Sequence, residues 1–193
     1  MKVKISRKGQ GPPVPGPPPH NNPPRLLLTG PPQSGKTTVV HRVVAGFPGR
    51  AAGFYTREVR VAGRRVGFEI VTLEGKTAWL SHVDFPGPHR VGKYGVDLEA
   101  LHRVALPALD PGPGIDLIVV DEVGKMECLS PLFIAAVERL WWAATALLVT
   151  VAQKGGGFIA RIKSLPGARL FRVNPGNRDL LANTLLNILK NLS

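Results

Sequence analysis

In GPPQSGKTT, residues 30–38, Gly30, Gly35, Lys36 and Thr37 match the spacing G-x-x-x-x-G-K-[ST] without departure. Each residue type has a task at that spacing. The glycines let the backbone curl so that several amides point inward at an anion, and a helix opening at Gly35 adds its positive end. Lys36 reaches the β- and γ-phosphates, the Thr37 hydroxyl ligates Mg²⁺, and Thr38 contacts the α-phosphate. The whole loop, with Pro31, Pro32, Gln33 and Ser34 between the glycines, is the expected nucleotide cradle. Phosphate bound there has three fates: transfer to an acceptor, release to water, or retention as a switch.

A second constellation bears on that choice. Asp121 and Glu122 close the apolar run DLIVVDE. A strand parallel to the one before the loop delivers Asp121 to the same sheet edge, where it holds Mg²⁺ directly or through water. Its neighbour Glu122 then faces the water in line with the γ-phosphate and is the candidate general base, with Lys36 as the other catalytic group. A kinase needs an acceptor pocket and a water-excluding lid, whereas a hydrolase needs a carboxylate that positions water. The sequence offers the carboxylate.

These groups need a scaffold. RLLLTG reads as a buried strand leading into the loop, and KTTVVHRVVAGF as the helix leaving it. GFYTREVRVAGRRVGFEIVTL reads as a β-hairpin around an Ala-Gly turn. VDLEALHRVALPAL is a helix capped by Asp97, and SPLFIAAVERLWWAA a helix with Ser130 as N-cap and Pro131 in its first position. TALLVTVA and ARLFRV are further strands. The closing helix is expected to bury a face of Leu180, Leu181, Thr184, Leu185, Ile188 and Leu192. Alternation of strands and helices predicts a three-layer α/β fold of P-loop type, mostly parallel, with an inserted β-hairpin.

Residues 1–24, Pro/Gly-rich and basic, are expected to form a disordered arm, leaving 25–193 as one domain. The chain has 193 residues, 44% of them hydrophobic, and no run approaching the ~20 apolar residues of a membrane span. No apolar stretch follows the N-terminal basic residues as in a secretory leader. Cys128 is the sole cysteine, so no intrachain disulfide forms, which suits a reducing cytoplasm. With 25 basic against 13 acidic residues, the net charge of +12 suits polyphosphate ligands and permits nonspecific nucleic-acid contact. Charge alone names neither. Nothing points to a membrane partner.

TGPPQSGKTT, the hairpin sequence, VGKYGVDLEAL, VVDEVGKMECLSPLF and NPGNRDLL, in that order, resemble the cancer-related nucleoside-triphosphatase family of archaea, bacteria and animals. The Walker A loop is shared by many families; the hairpin together with DEVGKME is much more discriminating. The resemblance covers nearly everything from Arg25 onward. It implies a RecA-like P-loop domain and Mg²⁺-dependent hydrolysis of ATP, GTP and other nucleoside triphosphates to diphosphate and phosphate. It also implies a second nucleotide-binding stretch from Ile118 through Val119, Val120, Asp121, Glu122, Val123 and Gly124 to Lys125. Lys125 and Glu127 then fall close to the phosphates or metal, and Asn177 and Arg178 border the base or γ-phosphate; solvated or capping roles are the alternatives. Gln33 and Ser34 depart from the small or apolar residues usual inside the loop. Lys154, in a Gly-rich loop, reads as a mobile phosphate contact or a solvated side chain. Arg57, Arg60, Arg64 and Arg65 crowd the hairpin, where one is expected to approach the nucleotide or all to form a basic ribbon. A P-loop kinase and a nucleotide-regulated nucleic-acid-binding protein stand as alternatives to the hydrolase.

Overall fold

The computed structural model describes residues 23–190. The arm expected over residues 1–24 lies almost wholly outside that range, as does Leu192. Along the chain the strands are β1 (Arg25–Gly30), β2 (Ala51–Val61), β3 (Arg64–Thr72), β4 (Thr77–His82), β5 (Arg90–Val91), β6 (Tyr94–Val96), β7 (Leu117–Val123), β8 (Ala146–Ala152) and β9 (Ala168–Arg172). The helices are α1 (Lys36–Gly46), α2 (Leu98–Ala100), α3 (Leu106–Ala108), α4 (Pro131–Trp141), α5 (Phe158–Arg161) and α6 (Arg178–Lys190).

The nine strands of the described residues share one sheet in the order β5-β6-β4-β3-β2-β7-β8-β1-β9. Strands β2, β7, β8, β1 and β9 pair in parallel and form the centre of the sheet and one of its flanks. These strands meet helices on both faces, so β1 and β8 read as near-continuous apolar runs and are buried along almost their whole length. Leu27, Phe54, Val120, Phe133, Val137 and Trp141 pack on one face; Leu26, Leu28, Val39, Val43, Leu181 and Leu185 pack on the other. The result is the three-layer α/β arrangement expected from the alternation.

The expected hairpin is present and continuous with this core. The first half of β2 pairs in parallel with β7, from Ala51–Leu117 to Tyr55–Asp121, and its second half pairs only with β3. Gly53, at φ 122°, makes the close approach possible, because a Cβ there would lie 2.0 Å from the Val119 carbonyl oxygen. Ala62 and Gly63 both adopt positive φ, 47° and 76°, the combination a two-residue turn matched to strand twist requires. Strands β4, β5 and β6 extend the sheet antiparallel beyond β3.

Capping follows the sequence closely. Asp97 accepts from the Ala100 amide at 2.8 Å, and Ser130 from the Phe133 amide at 3.1 Å with Pro131 opening α4. The single helix expected after Asp97 instead divides into α2 and α3 around a π-helical turn, Leu101–Ala105. Helix α6 corrects one expectation: its buried residues are Leu181, Ala182, Leu185 and Leu189, while Leu180 is 72% exposed and Thr184 faces solvent. Leucines on two adjacent rows permit two faces one residue, or about 100°, apart, and packing against α1 selects the second.

Candidate functional site

The phosphate loop runs from the C-terminal end of β1 into α1. Gln33 and Gly35 both take positive φ, 63° and 97°, while the Ser34 amide donates to the Pro31 carbonyl at 3.2 Å. Gly30 has no room for a side chain: a Cβ would stand 2.5 Å from the Val173 carbonyl oxygen and 2.7 Å from Ser34 Oγ. Pro31 and Pro32 lack amide hydrogens and the Ser34 amide is taken by Pro31, so the free donors of the loop are Gln33 and Gly35 through Thr38. Ser34 lies buried under the loop with its hydroxyl unpartnered, Pro31 is exposed, and the remaining loop residues from Gly30 to Thr38 line a cleft of ≈ 1050 Å³.

Strand β7 brings the carboxylates to the same rim. Lys36 Nζ donates to the Gly30 carbonyl at 3.2 Å and stands 3.5 Å from Glu122 Oε2. Asp121 is buried. Its Oδ1 accepts from the Thr150 hydroxyl, in a contact the sequence did not signal beyond one hydroxyl inside an apolar strand, and its Oδ2 has no hydrogen-bond partner among the described residues. Burial pushes the Asp121 carboxyl upward, held back by the Thr150 and Thr37 hydroxyls and by Lys36 and His41. Burial also raises Glu122, with Lys36 opposing and the Asp121 charge adding. The peptide between the two acids is cis.

Of the stretch 118–125, Asp121, Glu122, Gly124 and Lys125 line the cleft. Ile118, Val119, Val120 and Val123 do not: each is fully buried in the core, as a strand covered on both faces requires. Their contribution is the strand that carries the acids. Glu127 is buried at the turn after β7, where Oε2 accepts from the Gly124 amide at 3.1 Å; burial raises its carboxyl to about 8, opposed by backbone hydrogen bonds. Lys125 is exposed at the mouth.

Other expectations divide. Arg178 lines the cleft beside Gly35, whereas Asn177 ties the β9–α6 connection by donating to the Arg172 carbonyl at 2.8 Å and accepting from the Asn174 amide at 2.9 Å. Lys154 and Gln153 line the cleft on a segment held by Lys163, whose ammonium donates to the Ala152 and Gln153 carbonyls at 2.7 and 3.0 Å. On the hairpin, Arg57 and Arg65 line the cleft and Arg60 and Arg64 do not. Arg57 pairs with Glu69 at 2.6 Å, while Arg60 and Arg65 pair with Glu58 at 2.5 and 2.8 Å. The hairpin is therefore a ladder of ion pairs more than an open basic ribbon.

The geometry combines a loop of inward amides, a buried carboxylate oxygen with no hydrogen-bond partner among the described residues, and a second carboxylate at its side. Comparison with known proteins agrees. A family model described as NTPase matches residues 25–186. The nucleoside-triphosphatase THEP1 of Thermotoga petrophila is 40% identical over 167 residues, covering 86% of this chain and 93% of the relative. The crystal structure of THEP1 from Aquifex aeolicus superposes with a TM-score of 0.79 at 33% identity, covering 86% of this chain and 99% of that one. The solution structure of a human cancer-related nucleoside triphosphatase gives 0.73 at 37%, covering 87% and 98%.

Proposed function

The chain belongs to the NTPase family, and we propose that it hydrolyses nucleoside triphosphates, ATP and GTP among them, to diphosphate and phosphate with Mg²⁺. The observation that carries the reading is the meeting of Lys36 with Glu122, 3.5 Å apart at the rim of the cradle. In this reading the amides of Gln33 and of Gly35 to Thr38 hold the phosphate chain, and Lys36 exchanges its Gly30 and Glu122 contacts for the β- and γ-oxygens. Glu122 orients a water toward the terminal phosphorus and takes its proton as the new P–O bond forms and the β–γ bridge breaks.

The residues present fit Mg²⁺. A hard cation takes oxygen ligands, and the unpartnered Asp121 Oδ2 with the nearby Thr37 hydroxyl supplies them. When bound, the ion neutralises charge that develops on the phosphate oxygens. Thr150 fixes the other Asp121 oxygen and so the direction of the ligand. Arg57, exposed on the hairpin and lining the cleft, is the hairpin arginine assigned here to the terminal phosphoryl. The cytoplasm is the compartment we propose, since the sole cysteine, Cys128, leaves the chain without an intrachain disulfide.

Phosphate release from each nucleoside triphosphate, with Mg²⁺ and with chelator, tests the reading. Stoichiometric diphosphate and phosphate only with Mg²⁺ supports it; no release from any of them with Mg²⁺ present refutes it.

A further inference from the structure

Strand β2 does not stop where the parallel core stops. Tyr55 pairs with Asp121 at the edge of the core, and β2 runs on to Val61, about 20 Å further at ~3.3 Å per residue. The hairpin therefore overhangs the edge that carries the two acids. It stands on the side of β7 away from β8 and β1, so it lies beyond Glu122 as seen from the phosphate loop. Thr38, in the first turn of α1, and Arg178, against Gly35, line the cleft at the loop itself.

Beside Arg57, this wall carries side chains that do not suit a phosphate chain. Phe68, Leu80, Val91 and Met126 line it, and none of them bonds an oxyanion. Arg65 lies over the Phe68 ring, 5.3 Å from guanidinium carbon to centroid. Its Nε donates to the Tyr94 hydroxyl at 2.9 Å and its Nη1 to Glu58 at 2.8 Å, leaving Nη2 without a protein acceptor among the described residues. The guanidinium is thus fixed in orientation with one edge unspent. The cleft is also large: ≈ 1050 Å³ lies at the top of the roughly 300–1,000 Å³ usual for one small ligand.

Resting on the hydrolase reading, which points the terminal phosphoryl at Glu122, we infer that this wall is a second ligand subsite for a flat heteroaromatic molecule of the nucleoside class. The ring lies against Phe68 and Met126, and a ring or carbonyl acceptor on its edge takes the remaining Arg65 donor. A ligand seated there shares the cleft with the bound nucleotide and does not replace it.

Protein loaded with Mg²⁺ and a non-hydrolysable ATP analogue is titrated with adenosine, guanosine, cytidine and uridine by calorimetry. Saturable binding of at least one nucleoside to the loaded protein is expected, weakened about tenfold by Phe68→Ala as for loss of a base–aromatic stack, with the analogue losing much less. Met126→Ala, off the hairpin, is measured beside it in case the first variant folds poorly, and the same preferential loss is expected. No nucleoside binding to the loaded protein overturns the subsite alone. Equal losses of nucleoside and analogue also overturn it, because they assign the wall to the nucleotide's own base. An analogue that fails to bind, with no phosphate release from any nucleoside triphosphate, removes the hydrolase reading and the subsite together.

Discussion

The Lys36 ammonium sits between the Gly30 carbonyl oxygen, at 3.2 Å, and Glu122 Oε2, at 3.5 Å, so one charge ties the start of the phosphate loop to the end of β7. Without nucleotide this contact compensates a partly buried carboxylate and a lysine only 11% exposed. A triphosphate competes for the same ammonium. In the proposed hydrolysis its arrival frees Glu122 from its cation as a water is oriented.

Thr150→Val keeps the shape of a fully buried side chain and removes the hydroxyl that holds Asp121 Oδ1. Loss of such an outer partner loosens the ligand more than the fold. The Mg²⁺ concentration giving half-maximal phosphate release is expected to rise about tenfold. An unchanged Mg²⁺ titration would leave Thr150 no part in orienting Asp121.

Arg57→Ala tests the hairpin's contribution. Planar charge at the terminal phosphoryl stabilises the transition state more than the bound nucleotide, so kcat is expected to fall about a hundredfold with nucleotide affinity little changed. Binding by fluorescence and turnover by phosphate release separate the two. Parental turnover would confine Arg57 to its pair with Glu69.

Glu127 makes the protein's stability depend on pH. Its folded carboxyl, raised to about 8 from 4.5, retains a proton that the unfolded chain has released. Its contribution is fully present below 4.5 and is lost as pH rises through about 8, because the unfolded state binds fewer protons over that window. Urea unfolding of the nucleotide-free protein should weaken across that range, and Glu127→Gln should flatten the trend. An equal slope in the variant would assign it to other groups.

Arg25 is the largest polar side chain in the core and has no carboxylate partner among the described residues. Its guanidinium donates to the carbonyls of Trp141, Pro23, Thr145 and Ala143, closing the end of α4 onto β1. Burial without a counter-charge lowers its pKa. Arg25→Met leaves those carbonyls unpaired and is expected to destabilise by about 3 kcal/mol or more in urea unfolding. A change of less than about 1 kcal/mol would mean that water replaces the guanidinium.

Much of this was legible in the sequence because the signals were local. Gly35, Lys36 and Thr37 mark a loop whose geometry depends on neighbouring residues, and Ser130 with Pro131 marks a helix start in the same way. DLIVVDE shows a buried strand and places acids at its end. It does not separate side chains that face the cleft from Ile118, Val119, Val120 and Val123, whose burial depends on layers contributed by distant helices. Thr150 and Arg25 were opaque for a similar reason, since their partners lie 29 and up to 120 residues away. The ion pairs of Arg57 and Arg65 arise from hairpin register, and a bulge between Val59 and Arg60 breaks simple alternation there. On α6 the leucine pattern admitted two faces and packing chose between them.

The most direct measurement is single-turnover phosphate release from ATP with Mg²⁺ in the parental protein and in Glu122→Gln, with nucleotide affinity measured in parallel. Retained affinity with release slowed about 10²- to 10⁴-fold is expected of a lost general base. Release at the parental rate from a folded, nucleotide-binding Glu122→Gln protein would contradict a general-base role for the carboxylate beside Lys36.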